Sequence, residues 1–187
     1  MNVTFLLSHQ PNPRMYRRMI ALKKEHLVQV VFLDRCLSVT SPYSVPPGVK
    51  EYRILIPAPQ GQWFKRIIPL IKYWHKSMKT LKEIRPDVIH CGNLDMLYIA
   101  YNYKQFIDPT VKLVYEIADL PKVIYNSNKT LKSLILKAIF CSIERVLCKQ
   151  ILLLVIASPY FWDDYYSAFV PKEKVLFLPN VAELSLF

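Results

Sequence analysis

The sequence predicts a single doubly wound α/β domain over residues 1–187, with a mostly parallel sheet of about seven strands. Two observations carry that expectation. One unit recurs along the chain: a short apolar run rich in β-branched residues, a polar terminus, then a stretch with helical spacing. One of these runs, residues 151–157, is apolar throughout, as a strand buried on both faces of a parallel sheet has to be. Length and composition agree, because 187 residues, 52% of them apolar, suffice for one core.

Residues 2–7 read as the first strand, which ends at Ser8 and His9 ahead of a Pro11-Asn12-Pro13 break. Residues 14–25 are helical by the spacing of Met15, Met19 and Leu22. The second strand, 27–33, ends at Asp34, and the third, 52–56, ends at Pro57. Between them lies a Ser/Pro-rich loop, 38–48, of a length that compact domains keep for functional or mobile segments. A long helix follows over residues 60–84, with Pro69 as its start or a kink, apolar at Ile67, Ile68, Ile71 and Trp74.

Pro86 cannot continue that helix and biases Arg85 away from helical angles, so the helix stops and a strand begins. Val88 and Ile89 are β-formers, and the run closes in His90, Cys91, Gly92 and Asn93, side chains expected at the working edge of a sheet. Residues 95–106 form a helix with Asn93 or Asp95 as N-cap. The strand 111–117 continues into Glu116-Ile117-Ala118-Asp119, which sets two carboxylates near its end. Residues 130–150 are the longest helical pattern; the strand 151–157 is closed by Ser158-Pro159. A short helix over 160–169 and a strand over 174–178, ending at Pro179-Asn180, complete the series.

The formal net charge of +11, from 25 Lys and Arg against 14 Asp and Glu, attracts nucleic acid, an anionic bilayer or a phosphorylated substrate. No basic recognition helix with base-reading side chains is present, which argues against nucleic acid. Only Gly48, Gly61 and Gly92 occur, so no glycine-rich phosphate loop can be written. The four cysteines, Cys36, Cys91, Cys141 and Cys148, form no CxxC pair and read as reduced core residues, with no metal site. No apolar run approaches the roughly 20 residues of a membrane span, and the expected location is cytoplasmic, peripheral on the inner face of the membrane.

Two basic clusters each have two readings. Arg14, Arg17 and Arg18 sit in the first turns of their helix, where the dipole disfavours positive charge. They are either solvated beside loop carboxylates or facing a bound anion. Lys72, Lys76 and Lys79 share the long helix with its apolar stripe, which either covers the sheet with its lysines in water or lies on an anionic membrane. The strand termini, His9, Asp34, His90 to Asn93, Glu116, Asp119, Ser158 and Asn180, gather on one edge in such a fold, and that is where a site is expected.

Several blocks carry a family resemblance: Asn12-Pro13-Arg14-Met15, Arg85-Pro86-Asp87-Val88-Ile89-His90, Leu113-Val114-Tyr115-Glu116, Ile143-Glu144-Arg145, Val155-Ile156-Ala157-Ser158-Pro159 and Leu178-Pro179-Asn180-Val181. In this order they resemble the N-terminal, acceptor-binding half of a GT-B glycosyltransferase of the family 4 type, with a Rossmann-like domain. The resemblance implies retaining transfer of a hexosyl group from a nucleotide sugar to a sugar or lipid-linked acceptor in polysaccharide or glycolipid assembly. No cofactor is then expected on this domain; the donor belongs to a C-terminal domain that this sequence lacks.

The resemblance makes Asp119 the candidate acid/base or acceptor-orienting carboxylate, with Glu116 beside it and His90 as a second choice. It makes His9, Arg14, Arg17, His90, Asn93, Ser158 and Asn180 the acceptor-side candidates. Departures exist: the family's His-Asp at the fifth strand is Ala118-Asp119 here, its glycine-rich first loop is His9-Gln10-Pro11-Asn12-Pro13, and an Ala-Asp opening the sixth strand is Ile151-Leu152. A function of another class also fits these observations: a non-catalytic, membrane-docking or binding subunit that recruits a separate catalytic half.

Overall fold

The computed structural model describes residues 1–35, 45–57, 67–117 and 131–179. Among them run seven strands: β1 (Asn2–Leu7), β2 (Leu27–Asp34), β3 (Lys50–Leu55), β4 (Val88–Cys91), β5 (Lys112–Ile117), β6 (Leu153–Ile156) and β7 (Val175–Phe177). The helices are α1 (Pro13–Leu22), α2 (Ile67–Ile84), α3 (Leu94–Phe106), α4 (Leu131–Cys148) and α5 (Pro159–Asp164). The strands form one sheet in the order β3-β2-β1-β4-β5-β6-β7. This is the expected α/β class. The order reverses direction between β1 and β4, and open parallel sheets bind ligands beyond the strand ends at such a reversal. The chain divides into two compact units, Met1–Leu113 and Val114–Phe187.

In the first unit β1 is the spine. It pairs in parallel with β2 from Asn2↔Leu27 to Leu7↔Phe32 and with β4 from Val3↔Val88 to Leu6↔Cys91. Phe5, Leu6, Val30, Val31 and Ile89 are completely buried, so consecutive residues of one strand are covered on opposite faces by helices. Helix α1 begins where Asn12 accepts the Met15 N–H at 2.9 Å and Pro13 occupies the first turn, and it buries Met15 and Met19. It ends at Leu22, the last residue of the apolar spacing and three short of the expected bound, and residues 23–25 turn the chain toward β2.

Helix α2 faces the core with Tyr73, Ser77 and Leu81, one per turn, and the Tyr73 hydroxyl donates to the Leu7 carbonyl at 2.9 Å. Its stop is a left-handed residue, Arg85 with φ 51°, whose N–H closes on the Leu81 carbonyl at 2.9 Å directly before Pro86. The start of β4 is then pinned to β1. Asp87 accepts from the Asn2 N–H at 2.7 Å, and the Asn2 side chain donates to the Ile84 carbonyl at 3.1 Å. The expected loop 38–48 and residues 60–66 of the expected helix lie largely outside the described residues.

In the second unit β6 pairs in parallel with β5, from Val114↔Leu153 to Ile117↔Ile156, and with β7. The strand begins at Leu153, so Ile151 and Leu152 lead into it. Helix α4 buries Glu144, Leu147 and Cys148. The helix expected over 160–169 is shorter: it ends at Asp164, and a single 3₁₀ turn, Tyr166–Ala168, replaces its second half. The reason is polar. Tyr165, Tyr166 and Tyr115 all donate to the buried Glu144 carboxylate, at 2.9, 2.8 and 2.7 Å, and a continuous helix would not turn two consecutive tyrosines onto one acceptor.

Candidate functional site

The reversal between β1 and β4 carries a polar rim built, within the first unit, from the residues that follow β1 and β4, from the end of β2 and from Arg53 of β3. Ser8, the residue after β1, is buried, and its Oγ accepts from the Asn93 amide at 2.7 Å. Asn93 stands at the N-cap of α3 in extended geometry, yet its side chain makes no cap bond; it is spent on Ser8. Gly92 makes this approach possible. Its N–H reaches the Leu6 carbonyl at 3.2 Å, and a Cβ there would stand 3.0 Å from Leu7 Cδ2.

On the other side of Ser8, the Arg35 guanidinium donates to the Ser8 carbonyl at 3.3 Å. Asp34, buried at the end of β2, accepts from Gln10 at 3.4 Å and forms an ion pair with Arg53 of β3. His9 is exposed, and its Nδ1 lies 2.6 Å from the Gln10 carbonyl. A carbonyl only accepts, so Nδ1 carries the proton and, in the neutral ring, Nε2 is the acceptor. The rim therefore sets a hydroxyl, two amides, an imidazole, a carboxylate and two guanidinium groups side by side, a mixed set of hydrogen-bond donors and acceptors.

Of the candidates, His9 and Asn93 are brought together here through Ser8. Arg14, Arg17 and Arg18 are half-buried in the first turns of α1, which contain no acidic residue. His90 is not at the edge: it lies within β4, buried, paired in register with Phe5 and stacked on its ring at 4.6 Å between centroids. That corrects its expected place, since the strand runs one residue further before turning. Glu116 is likewise buried within β5. Ser158 follows β6 at the N-cap of α5, half-buried and without a side-chain cap bond. Lys72, Lys76 and Lys79 are exposed on α2. Asp119 and Asn180 lie outside the described residues.

Gln10, Arg35 and Arg53 escape sequence reasoning, and Ser8 is read only as a strand end, because their partners come from neighbouring strands and register decides which polar ends meet. An acidic strand terminus followed by a strand with one central arginine is the only signal that points to the Asp34–Arg53 pair. The described residues hold no cluster of metal-ligating side chains. Burial pushes the thiols of Cys91 and Cys148 well above their ordinary range.

No family model matches the chain. It is 28% identical over 127 residues to the succinoglycan biosynthesis protein ExoL of Rhizobium meliloti (strain 1021), a match covering 67% of this chain and 30% of that protein. Among solved structures it is similar to the sucrose-phosphate synthase of Thermosynechococcus elongatus, with a TM-score of 0.70 at 12% identity over 100% of this chain and 50% of that one. It is also similar to HepE of Anabaena in complex with UDP, with a TM-score of 0.61 at 14% identity over 100% of this chain and 46% of that one. The lipopolysaccharide outer core galactosyltransferase WaaB gives a TM-score of 0.61 at 9% identity, over 97% and 46%. At these identities the likeness is one of fold, that of GT-B glycosyltransferases, and the chain spans about half the length of each of these structures.

Proposed function

We propose that this chain is the acceptor-binding half of a sugar-nucleotide-dependent glycosyltransferase, of the family 4 type and retaining, acting in polysaccharide or glycolipid assembly. The observation that carries the reading is the rim at the β1/β4 reversal, Ser8 with Asn93 and Asp34 with Gln10 and Arg53, on a fold shared with glycosyltransferases. The partial match to ExoL supports the polysaccharide context. In this reading the rim holds acceptor hydroxyls and His9 Nε2 accepts one of them. Asp119 orients the attacking hydroxyl or takes its proton, with Glu116 as the second candidate carboxylate and Ser158 as a further acceptor-side candidate. The nucleotide sugar is held by a domain or subunit outside this sequence, and transfer waits on donor and acceptor being held together.

The same protein is proposed to dock on an anionic membrane through α2. Ile67, Ile68, Leu70 and Ile71 are exposed in its first turns, followed by exposed Lys72, Lys76 and Lys79 on the same helix. Apolar anchors beside a basic face are what an interfacial helix uses. No described helix is long and apolar enough to cross a membrane.

Two titrations of the purified chain test the central reading. A neutral oligosaccharide, maltotriose, is expected to shift the amide resonances of residues 8–12 and 92–95, and Asn93→Ala to abolish those shifts. UDP-glucose is expected to bind no tighter than about millimolar. Micromolar UDP-glucose binding by this chain alone would overturn its assignment as the acceptor half.

A further inference from the structure

We infer that Glu144 is a positioning residue: its carboxylate holds the segment that follows β6, from Ser158 to Val170, and so fixes where Ser158 stands at the strand end. The consequence for ligand contact rests on the proposed function, but the assignment itself rests on geometry within the second unit. The segment consists of a six-residue helix and one 3₁₀ turn, too short to be stable by themselves. Ser158, its first residue, makes no side-chain cap bond that would anchor the helix start.

The anchor lies at the other end. Tyr166 donates to Glu144 Oε1 at 2.8 Å and Tyr165 to Oε2 at 2.9 Å, while Tyr115 of β5 donates to Oε1 at 2.7 Å. One carboxylate on α4 thus ties the segment to a helix and to a central strand. Around it Tyr165 meets Tyr166 and Phe169 edge to face at 4.8 and 5.2 Å, Tyr166 and Phe169 lie tilted at 5.4 Å, and the Arg145 guanidinium lies over the Phe169 ring at 5.6 Å. Trp162 closes the segment on itself by donating to the Val170 carbonyl at 3.1 Å.

A carboxylate is a costly choice for this place, because Glu144 is completely buried and three tyrosine hydroxyls are needed to satisfy it. What the carboxylate adds is direction. Two oxygens with fixed lone-pair directions accept three hydroxyls in one arrangement, whereas apolar packing admits several. Glu144 therefore sets the conformation of the segment.

Hydrogen exchange on the purified chain, followed separately in residues 159–170, in β6 and in β1 to β4, tests this with three variants. Glu144→Gln and Tyr165→Phe are expected to speed exchange in 159–170 by about tenfold or more, the scale of a hydrogen bond lost to a charged group. Exchange in β1 to β4 stays unchanged. Glu144→Leu, which leaves the buried Tyr115 and Tyr166 hydroxyls without an acceptor, is expected to lower the melting temperature and to leave the segment unprotected. The hydroxyl proton resonances of Tyr115 and Tyr166, shifted downfield by the carboxylate, move upfield in Glu144→Gln. Unchanged exchange in 159–170, or acceleration spread equally over β1 to β4, overturns the assignment. If Glu144→Gln fails to fold, Tyr165→Phe, which removes one hydroxyl of a half-buried ring, decides it alone. The readout needs no ligand, so a failure here and a failure of maltotriose to bind are told apart.

Discussion

Replacing Gly92 by alanine puts one methyl group at the tightest point of the β1/β4 reversal. Its Cβ would lie 3.0 Å from Leu7 Cδ2, 3.5 Å from Met15 Cε and 3.9 Å from the Leu6 carbonyl oxygen. Carbon atoms sit comfortably at about 3.5–4.0 Å, so the first contact is short by at least half an ångström. Leu7 and Met15 are both almost fully buried, which leaves neither side chain an empty direction in which to swing. Overpacking of this kind costs about 1–3 kcal/mol. For a chain of this size each kcal/mol lowers the melting temperature by about 2–4 °C.

Urea unfolding of Gly92→Ala should therefore show a lower midpoint at an unchanged slope. The double variant with Leu7→Ala should give part of the loss back, a coupling of about 1 kcal/mol between neighbours. Because Asn93 is the next residue, the Ser8 contact should loosen too, and maltotriose shifts at 8–12 and 92–95 should shrink. A Gly92→Ala protein as stable as the parent to within a few tenths of a kcal/mol, or additive effects with Leu7→Ala, would refute the close-approach reasoning.

Tyr73→Phe strips the hydroxyl that joins α2 to the Leu7 carbonyl in a fully buried site, and should cost about 1–2 kcal/mol in the same urea assay. Burial raises the folded pKa of Glu144 above the unfolded value of 4.5. The native state then holds that proton more tightly, so its contribution falls as pH climbs from about 4.5 through the folded value, and Glu144→Gln should flatten this slope. Burial also raises Tyr73, Tyr115 and Tyr166 above 10, so stability should drop as pH passes 10, read by circular dichroism against tyrosinate absorbance. Lys72, Lys76 and Lys79 changed together to Gln should weaken binding to phosphatidylserine vesicles and remove its salt dependence, with the fold intact by circular dichroism. Asp119→Asn, in a protein carrying both halves, should lower turnover about 10²-fold, and near-normal turnover would remove Asp119 from the mechanism.

The fold was legible because its signals are local. Pro86 ends α2, Asn93 opens α3, and the β-branched runs mark the strands, so the seven strands lie within two residues of their expected bounds, whereas the helix expected over 160–169 stops at Asp164. The site was legible in part. His9 and Asn93 stand where the polar ends of strands were expected, but Ser8, Gln10, Arg35 and Arg53 join them only through parallel register, which no local pattern encodes. His90 misled for a similar reason: a histidine near a strand end looks polar in sequence, and only pairing with Phe5 shows that its ring is used as an aromatic core residue. The Glu144 cluster was invisible because its three donors come from positions 115, 165 and 166, far apart along the chain.

The left-handed Arg85 between α2 and β4 bears on how this junction tolerates change over evolutionary time. A side chain in that conformation costs about 1–2 kcal/mol. Glycine would remove that strain but give back about 0.5–1 kcal/mol by loosening the unfolded chain. The offset leaves glycine ahead by only about 0.5–1 kcal/mol, so backbone selection at position 85 is weak and the residue can vary for what its side chain offers its neighbours. The Arg85 charge is felt at the Tyr103 hydroxyl on α3, where it partly offsets the upward push of burial on that phenol. Drift at position 85 should therefore be tuned by Tyr103 and its surroundings, while Pro86 keeps the turn itself in place whatever residue precedes it.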